Sequence, residues 1–508
     1  MSGFNVKSNN VISSNASNEF LNPKILAVLP KHSSGSAVNG TVYKDIITPN
    51  DGLTLFGEKS PMNAFIQEYF RLIRPAGQSR AFGDYRTKLN AVSYAITGTV
   101  GVTNIVLSGT PANGSISLFV SSEKYNKITV ATLSTETLAE IATKIANALN
   151  AVSNQVFTAT TSSATVILTA SIAGEWFNSE VYNVISNTSG LTLTHSIATA
   201  GVGVMNVSAL ITKIEKEKYD YIYIPYESIT DEILAFIKAR GQQVENVSLG
   251  GLLYFGIVGK TIAEASDIQE AHKSDMFLQG VFEKLGQEKD SAHINGCKAM
   301  TTRAMICSSY SNQDFMTKRQ INANDGIGGS QFKPVNLTDC VVLGKDPYSE
   351  SVNYSKAEEK LLDEMGFIYF KNRGNVVIFG NEQTTYTLTS TGEIPEIRKT
   401  GETDTFLSSL YMVDLIRSEY EGSILASESL AGSPQVSVDT IKTSANEQYG
   451  YFASLGWFAG DADSRAKFAK AVEDSIIPNF VDGSVSFDTL TTILGALVEI
   501  AISNRASK

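Results

Sequence analysis

Cysteine is almost absent: the 508 residues contain three, Cys297, Cys307 and Cys340. An odd number without paired spacing excludes a disulfide framework and a cysteine-based zinc site, so all three are expected to be reduced and buried. Histidine is as scarce. His32, His195, His272 and His293 stand far apart with no HExxH or HxH pattern, so no metal centre is expected. Basic charge is in deficit, 41 Lys and Arg against 52 Asp and Glu, for a net charge of −11. A nucleic-acid binder needs a concentrated basic face, and no such stripe occurs. Long apolar runs are also missing. The longest, Leu252–Val258 and Ile493–Ile502, fall short of the ~20 residues that span a bilayer, so no membrane insertion is expected. Residues 1–22 are rich in Ser and Asn and lack an apolar core, so they do not read as a secretory signal, and folding in a cytoplasm is expected.

What is present is an ordinary globular composition, 43% hydrophobic and 18% charged, in a chain too long for one core. The pattern predicts a mixed α/β (α+β) multidomain protein with extended terminal arms. Residues 1–24 read as an N-terminal arm and 25–90 as the first part of a core, with a strand at Ile25–Leu29 and a helix opened by Pro61 and ended by Pro75. Residues 91–203 turn abruptly to Thr, Ser, Val and Ala in short alternating runs, an inserted β-rich module bounded by Gly98–Gly101 and Gly201–Gly203. Its one helix is expected to start at Ser134 as N-cap, with Leu138, Ile141, Ile145 and Leu149 on one face.

Residues 204–380 alternate helix and strand: helix Val207–Lys216, strand Tyr219–Tyr226, helix Asp231–Arg240 stopped by Gly241, and buried strand Leu252–Val258. Ser355 and Glu358 form a capping box for a short helix ending at Gly366, and Phe367–Phe370 and Val376–Phe379 form a hairpin about residues 372–375. Residues 381–485 read as a C-terminal domain, mainly helical from Thr405 to about Pro478, with Phe406, Leu410, Val413, Leu415 and Ile416 as an apolar stripe. Residues 486–508 read as a second arm, although Leu490–Leu497 fits a helix equally well. In the arms, Val498, Ile500 and Ile502 alternate with polar or small neighbours, and Phe4 and Val6 do so more weakly. These five are the candidate inter-subunit contacts.

Catalytic motifs are incomplete. Gly256-Ile-Val-Gly-Lys-Thr261 follows a buried strand like a phosphate loop, but Tyr254 stands where that loop needs its first glycine. Gly326, Gly328 and Gly329 follow no strand and read as a loop, and no Gly-x-Ser-x-Gly occurs. The run Tyr219-Asp-Tyr-Ile-Tyr-Ile-Pro-Tyr226 has no basic groove beside it and reads as packing, not base stacking. No catalytic residue and no cofactor is expected.

The order of three stretches resembles the contractile tail sheath family in its Mu-type phage version. They are the β-rich insertion with Ser134-Thr-Glu-Thr-Leu-Ala-Glu-Ile-Ala, the helix leading to Tyr219-Asp-Tyr-Ile-Tyr-Ile-Pro225, and Ser355 through Gly366-Phe-Ile-Tyr-Phe-Lys-Asn-Arg-Gly-Asn-Val-Val-Ile378 to the helix after Asp404. The resemblance implies a subtilisin-like α/β sheath domain without protease function, in a virion subunit assembled in the bacterial host cytoplasm. It implies stacking as a homo-oligomer in hexameric rings around a tail tube protein, with baseplate and tail terminator proteins as further partners. It also implies contraction that drives the tube through the host envelope. A deletion joining Asn90 to Val204 is expected to leave polymerisation intact. Another phage tail or baseplate structural protein is the alternative, and a nucleotide-binding enzyme using Lys260 and Thr261 the remote one.

Overall fold

The computed structural model describes residues 23–73, 87–242, 250–307, 337–349, 353–395, 397–420, 423–425, 435–454, 458–479, 484–492 and 499–504. The chain enters on β1 (Lys24–Val28), which after Lys24 is apolar and buried on both faces, as a central parallel strand must be. After β2 (Tyr43–Ile46), Ser60 accepts the N–H of Asn63 and starts α1 (Pro61–Ile73), whose Pro61 loses no bond in the first turn. Phe65, Ile66, Tyr69 and Phe70 bury its apolar face, and β3 (Lys88–Val92) follows.

The chain then makes two smaller sheets before returning. These contain β4 (Val102–Gly109), β5 (Gly114–Val120), β6 (Lys127–Thr132), β7 (Phe157–Ser162), β8 (Thr165–Ala170), β9 (Tyr182–Asn187) and β10 (Leu191–Thr199). Their orders are β10-β4-β8-β7 and β6-β5-β9. Helix α2 (Leu138–Ala151) closes a core of its own with Ile141, Ile145 and Leu149 against Leu118, Val166 and Leu168. Its N-cap is Thr137, not Ser134. Thr137 and Glu140 form the reciprocal capping box, while Glu136 accepts the Leu133 N–H and pairs with Lys144.

The bounding glycines allow close approach and do not act as loose hinges. Ile96 and Thr99 pair with Met205 and Val202, a Cβ on Gly98 would lie 1.8 Å from the Val202 carbonyl oxygen, and Gly203 has φ +107°.

The main body resumes with β11 (Tyr221–Tyr223), α3 (Asp231–Gln242), β12 (Leu252–Lys260), α4 (Ile262–His272), β13 (Leu278–Lys284) and α5 (Ala292–Cys307). It continues through α6 (Lys356–Met365), β14 (Ile368–Arg373) and β15 (Val376–Asn381). One sheet of order β15-β14-β13-β12-β11-β1-β3-β2 results, parallel throughout except for the antiparallel edges β15 and β2. Three sequence expectations shift here. The helix expected at Val207–Lys216 shrinks to Leu210–Ile214, because the Asn206 side chain accepts the Ser208 N–H and competes with the helix start. The expected strand over Tyr219–Tyr226 is only β11, since Pro225 cannot donate and Tyr226–Ser228 turns as a 3-10 helix. Helix α3 runs through Gly241 to Gln242. Ser355, Glu358 and the left-handed Gly366 cap α6 as the sequence predicts.

Beyond the sheet come α7 (Thr400–Glu419), the two-residue strands β16 (Ile424–Leu425) and β17 (Gln435–Val436), α8 (Val438–Ser454) and α9 (Ala462–Ser475). Val413 and Ile416 of the expected stripe are buried. The described chain ends in a sheet of order β18-β19-β20, from β18 (Ile477–Asn479), β19 (Ser484–Thr492) and β20 (Glu499–Asn504). The structure is therefore mixed α/β. Cys297 and Cys340 are buried and in no disulfide.

Candidate functional site

In open parallel sheets, ligands bind in the crevice outside the carboxyl ends of the strands. Here that crevice is filled from within the chain. The corner after β5, Ser121–Asn126, lies on the segment joining β13 to α5. Ser122 pairs with Asp290, the Glu123 N–H donates to Lys289 O at 2.7 Å, and the Ser291 N–H donates to Ser121 O at 2.7 Å. Beside it Phe119 and Val181 pack on Val258 and Ala292. At the other end of the crevice Trp176 closes on Pro30, Met205, Pro225 and Glu227, leaving no room for a ligand.

Beneath the corner is a buried ionic cluster. Asp290 Oδ1 accepts from Ser122 Oγ and Lys298 Nζ, each at 2.7 Å, and Oδ2 lies 3.1 Å from Lys345 Nζ. Lys345 also donates to Glu283 Oε1 at 2.7 Å, as does the Tyr348 hydroxyl at 2.7 Å. Glu68 of α1 is 3.7 Å from Lys298 and from Arg71, and neither of its oxygens accepts a hydrogen bond. Burial alone would raise the Asp290 carboxyl, but Lys298 and Lys345 hold it well below the carboxylate range. Burial raises Glu68 and Glu283, with Lys298 and Lys345 respectively opposing the shift. Three carboxyls thus face two buried ammonium groups, with the Arg71 guanidinium beside Glu68, and Glu68, which accepts no hydrogen bond, is the carboxyl whose charge is least well supported.

A serine, a histidine and a glutamate also meet here. Ser291 Oγ is 3.3 Å from His293 Nδ1, and His293 Nδ1 is 3.7 Å from Glu180 Oε1. The arrangement is not a catalytic triad. Ser291 Oγ lies alongside the ring, 3.3 Å from Nδ1 and 3.5 Å from Nε2, instead of in line with one nitrogen, and all three side chains are buried away from any substrate. Burial pushes His293 down to about 3 and Glu180 up to about 7, so at neutral pH this contact is not an ion pair.

The phosphate-loop likeness dissolves too. Thr261 is the N-cap of α4, its hydroxyl committed to Glu264, and the Lys260 ammonium reaches the same Glu264 at 3.4 Å. Gly256 is small because α5 crosses it: a Cβ there would lie 2.2 Å from the Ala292 carbonyl oxygen. Tyr219, Tyr221 and Tyr223 are core residues, Tyr221 meeting Tyr254 edge to face at 5.9 Å. Among the described residues no group of His, Cys, Asp and Glu is arranged to hold a metal, and no helix is long and apolar enough to cross a membrane.

Of the candidate contact residues, Ile500 and Ile502 lie on β20, opposite Thr491 and Thr489 of β19 in the same chain. β20 is the outer strand of its sheet. Phe4, Val6 and Val498 lie outside the described residues, as do Gly326, Gly328 and Gly329. Sequence reasoning missed the ionic cluster, whose members come from α1, the corner, β13, the segment after it, α5 and the loop at Lys345–Tyr348.

These features define a mixed α/β body whose sheet-end crevice is closed by its own insertion. No protein-family model matches the chain, and no curated protein matches it. Among solved structures, the fold is similar to a sheath tail protein from Desulfitobacterium hafniense, with a TM-score of 0.48 at 10% identity over 96% of this chain and 97% of that one. It is also similar to a sheath tail protein from Listeria innocua, with a TM-score of 0.46 at 11% identity over 95% and 94%.

Proposed function

We propose that this chain is a structural subunit of a contractile phage tail sheath, not an enzyme. In this reading it stacks as hexameric rings around a tail tube, meets baseplate and terminator proteins at the ends, and shortens to drive the tube through the host envelope. The order of elements along the sequence supports the reading, and the observation that carries it is the position of β20. The last described strand is the outer strand of a three-stranded sheet, with one row of its backbone groups unpaired among the described residues. An open edge accepts a strand from another copy through main-chain hydrogen bonds that depend little on side-chain identity, so a link of this kind survives while globular bodies repack. Phe4, Val6, Val498, Ile500 and Ile502 are the proposed contacts of such links. No nucleotide is required, because a small free-energy difference per subunit, summed over a polymer, does the work.

Electron microscopy of the purified chain tests this, with tubes of sheath width expected. Alternate N–H groups of β20 point to β19 and to the open edge, so Ile500→Pro and Ala501→Pro between them delete one inner and one outer donor. The variant lacking the outward donor is expected to be folded and monomeric. Tubes formed by both variants would remove β20 from the linking machinery.

A further inference from the structure

Beyond a polar seam in which Lys59 donates to Thr158, Asn63 to Asn154 and the Ser171 hydroxyl to the Lys59 carbonyl, two kinds of contact hold the inserted sheets on the body. One is apolar packing of Phe119 and Val181 on Val258 and Ala292, which is non-directional. The other is the corner, where one hydroxyl of the insertion, Ser122, donates into Asp290. The ionic groups around Asp290, namely Lys298, Lys345, Glu283 and Glu68, belong to the body and stay with it if the corner lifts. Asp290 would keep both ammonium partners and exchange the Ser122 hydroxyl for water. The open state therefore strands no charge around Asp290, while the closed state is directional, fixed by the Ser122 bond between two backbone bonds and by the Tyr125 ring against Arg71 and Lys298. Covalently the insertion hangs on a narrow ribbon in which Ile96 and Thr99 pair with Met205 and Val202.

We infer that the Ser121–Asn126 corner is a latch. It clamps the insertion in one orientation, and breaking the Ser122–Asp290 bridge lets the inserted sheets pivot on the ribbon and the seam at Lys59 and Asn63 while the eight-stranded sheet stays folded. The salt bridges Lys124–Asp346 and Lys289–Glu123, at 3.1 and 3.0 Å, flank the latch on its outer side. The inference does not depend on the sheath reading and is tested on the isolated chain.

Amide hydrogen exchange is the measurement, comparing the corner (Ser121–Glu123 and Lys289–Ser291) and the ribbon with β12 and β13. Ser122→Ala and Asp290→Asn are each expected to speed exchange at the corner by about tenfold or more, leaving β12 and β13 protected. Glu123 and Lys289 sit opposite each other beside the bridge, joined by a backbone hydrogen bond and by their side chains at 3.0 Å, so a cysteine pair there is a covalent substitute for the corner. Glu123→Cys with Lys289→Cys, added to Ser122→Ala, is expected to restore protection when oxidised and lose it when reduced. Unchanged corner exchange in Ser122→Ala would mean that the apolar faces and the polar seam hold the insertion without the bridge, and the latch would be refuted. Loss of protection spreading into β12 and β13 in Ser122→Ala, or no recovery on oxidation, would equally refute it, because the corner would then belong to the body's own cooperative unit. Ser122→Ala decides even if Asp290→Asn fails to fold.

Discussion

Glu180 and His293 lie 3.7 Å apart and titrate in opposite senses. Burial raises Glu180 from 4.5 to about 7, against hydrogen bonds from Ser121 and Ser291. The folded state thus binds this proton more tightly than the unfolded chain does. The stabilisation is complete below pH 4.5 and lost as pH rises through 7. Burial lowers His293 from 6.5 to about 3, so its neutral form stabilises the fold above 6.5 and that contribution is lost as pH falls toward 3. Between pH 4.5 and 6.5 the two slopes oppose and nearly cancel. Glu180→Gln removes one of them. Relative to the parent, the variant is expected to gain stability steadily from pH 4.5 to 7, by up to about 3 kcal/mol. Thermal midpoints of both proteins across that range check this, and a difference independent of pH would mean that Glu180 ionises like a free carboxyl.

Helix α2 shows how a local rule can be right in kind and wrong in place. The segment Ser134-Thr-Glu-Thr-Leu offers two cap candidates within one turn, and the tie is broken by Glu140, which completes a capping box only with Thr137. Thr137→Ala is expected to cost about 1 kcal/mol and Ser134→Ala close to nothing, read as shifts in thermal midpoint. The opposite ranking would return the helix start to Ser134. Signals that are local and carried by one residue type were legible in the sequence: the apolar run of β1, Pro61 at the start of α1, Gly366 after α6, and the tight turn between β14 and β15. Lengths set by tertiary contact were not. β11 is short because Pro225 ends it, and Gly241 does not break α3. The terminal segment illustrates both cases. Its strand period at Ile500 and Ile502 was readable, but its pairing with Thr491 and Thr489 was not, since a period of two says which faces a strand has and never which strand lies beside it. The ionic cluster left no trace at all. Glu68, Glu283, Asp290, Lys298 and Lys345 are scattered over the sequence, and each alone reads as an ordinary surface charge.

At the scale of the molecule, the insertion raises the question of where it can be cut. Joining Asn90 to Val204, as the composition boundary suggests, would remove Ala91 and Val92 from β3, where they pair with Ala27 and Val28 in the middle of the main sheet. The ribbon offers a better site. Thr99 and Val202 exchange both backbone hydrogen bonds, at 3.0 and 3.1 Å, so a two-residue Asn-Gly turn can replace residues 100–201 without altering the strands on either side. The excision uncovers Val258 and Ala292 and opens the Asp290 cluster to water, so the thermal midpoint is expected to fall by several degrees. The body should stay folded, because the eight-stranded sheet and the packing of α1 on α5 lie wholly outside the insertion. If the linking strands are at the chain termini, the shortened protein should still form tubes in electron micrographs, narrower where the insertion faced outward. A shortened chain that is folded and monomeric would place the insertion among the contacts between subunits and overturn that assignment.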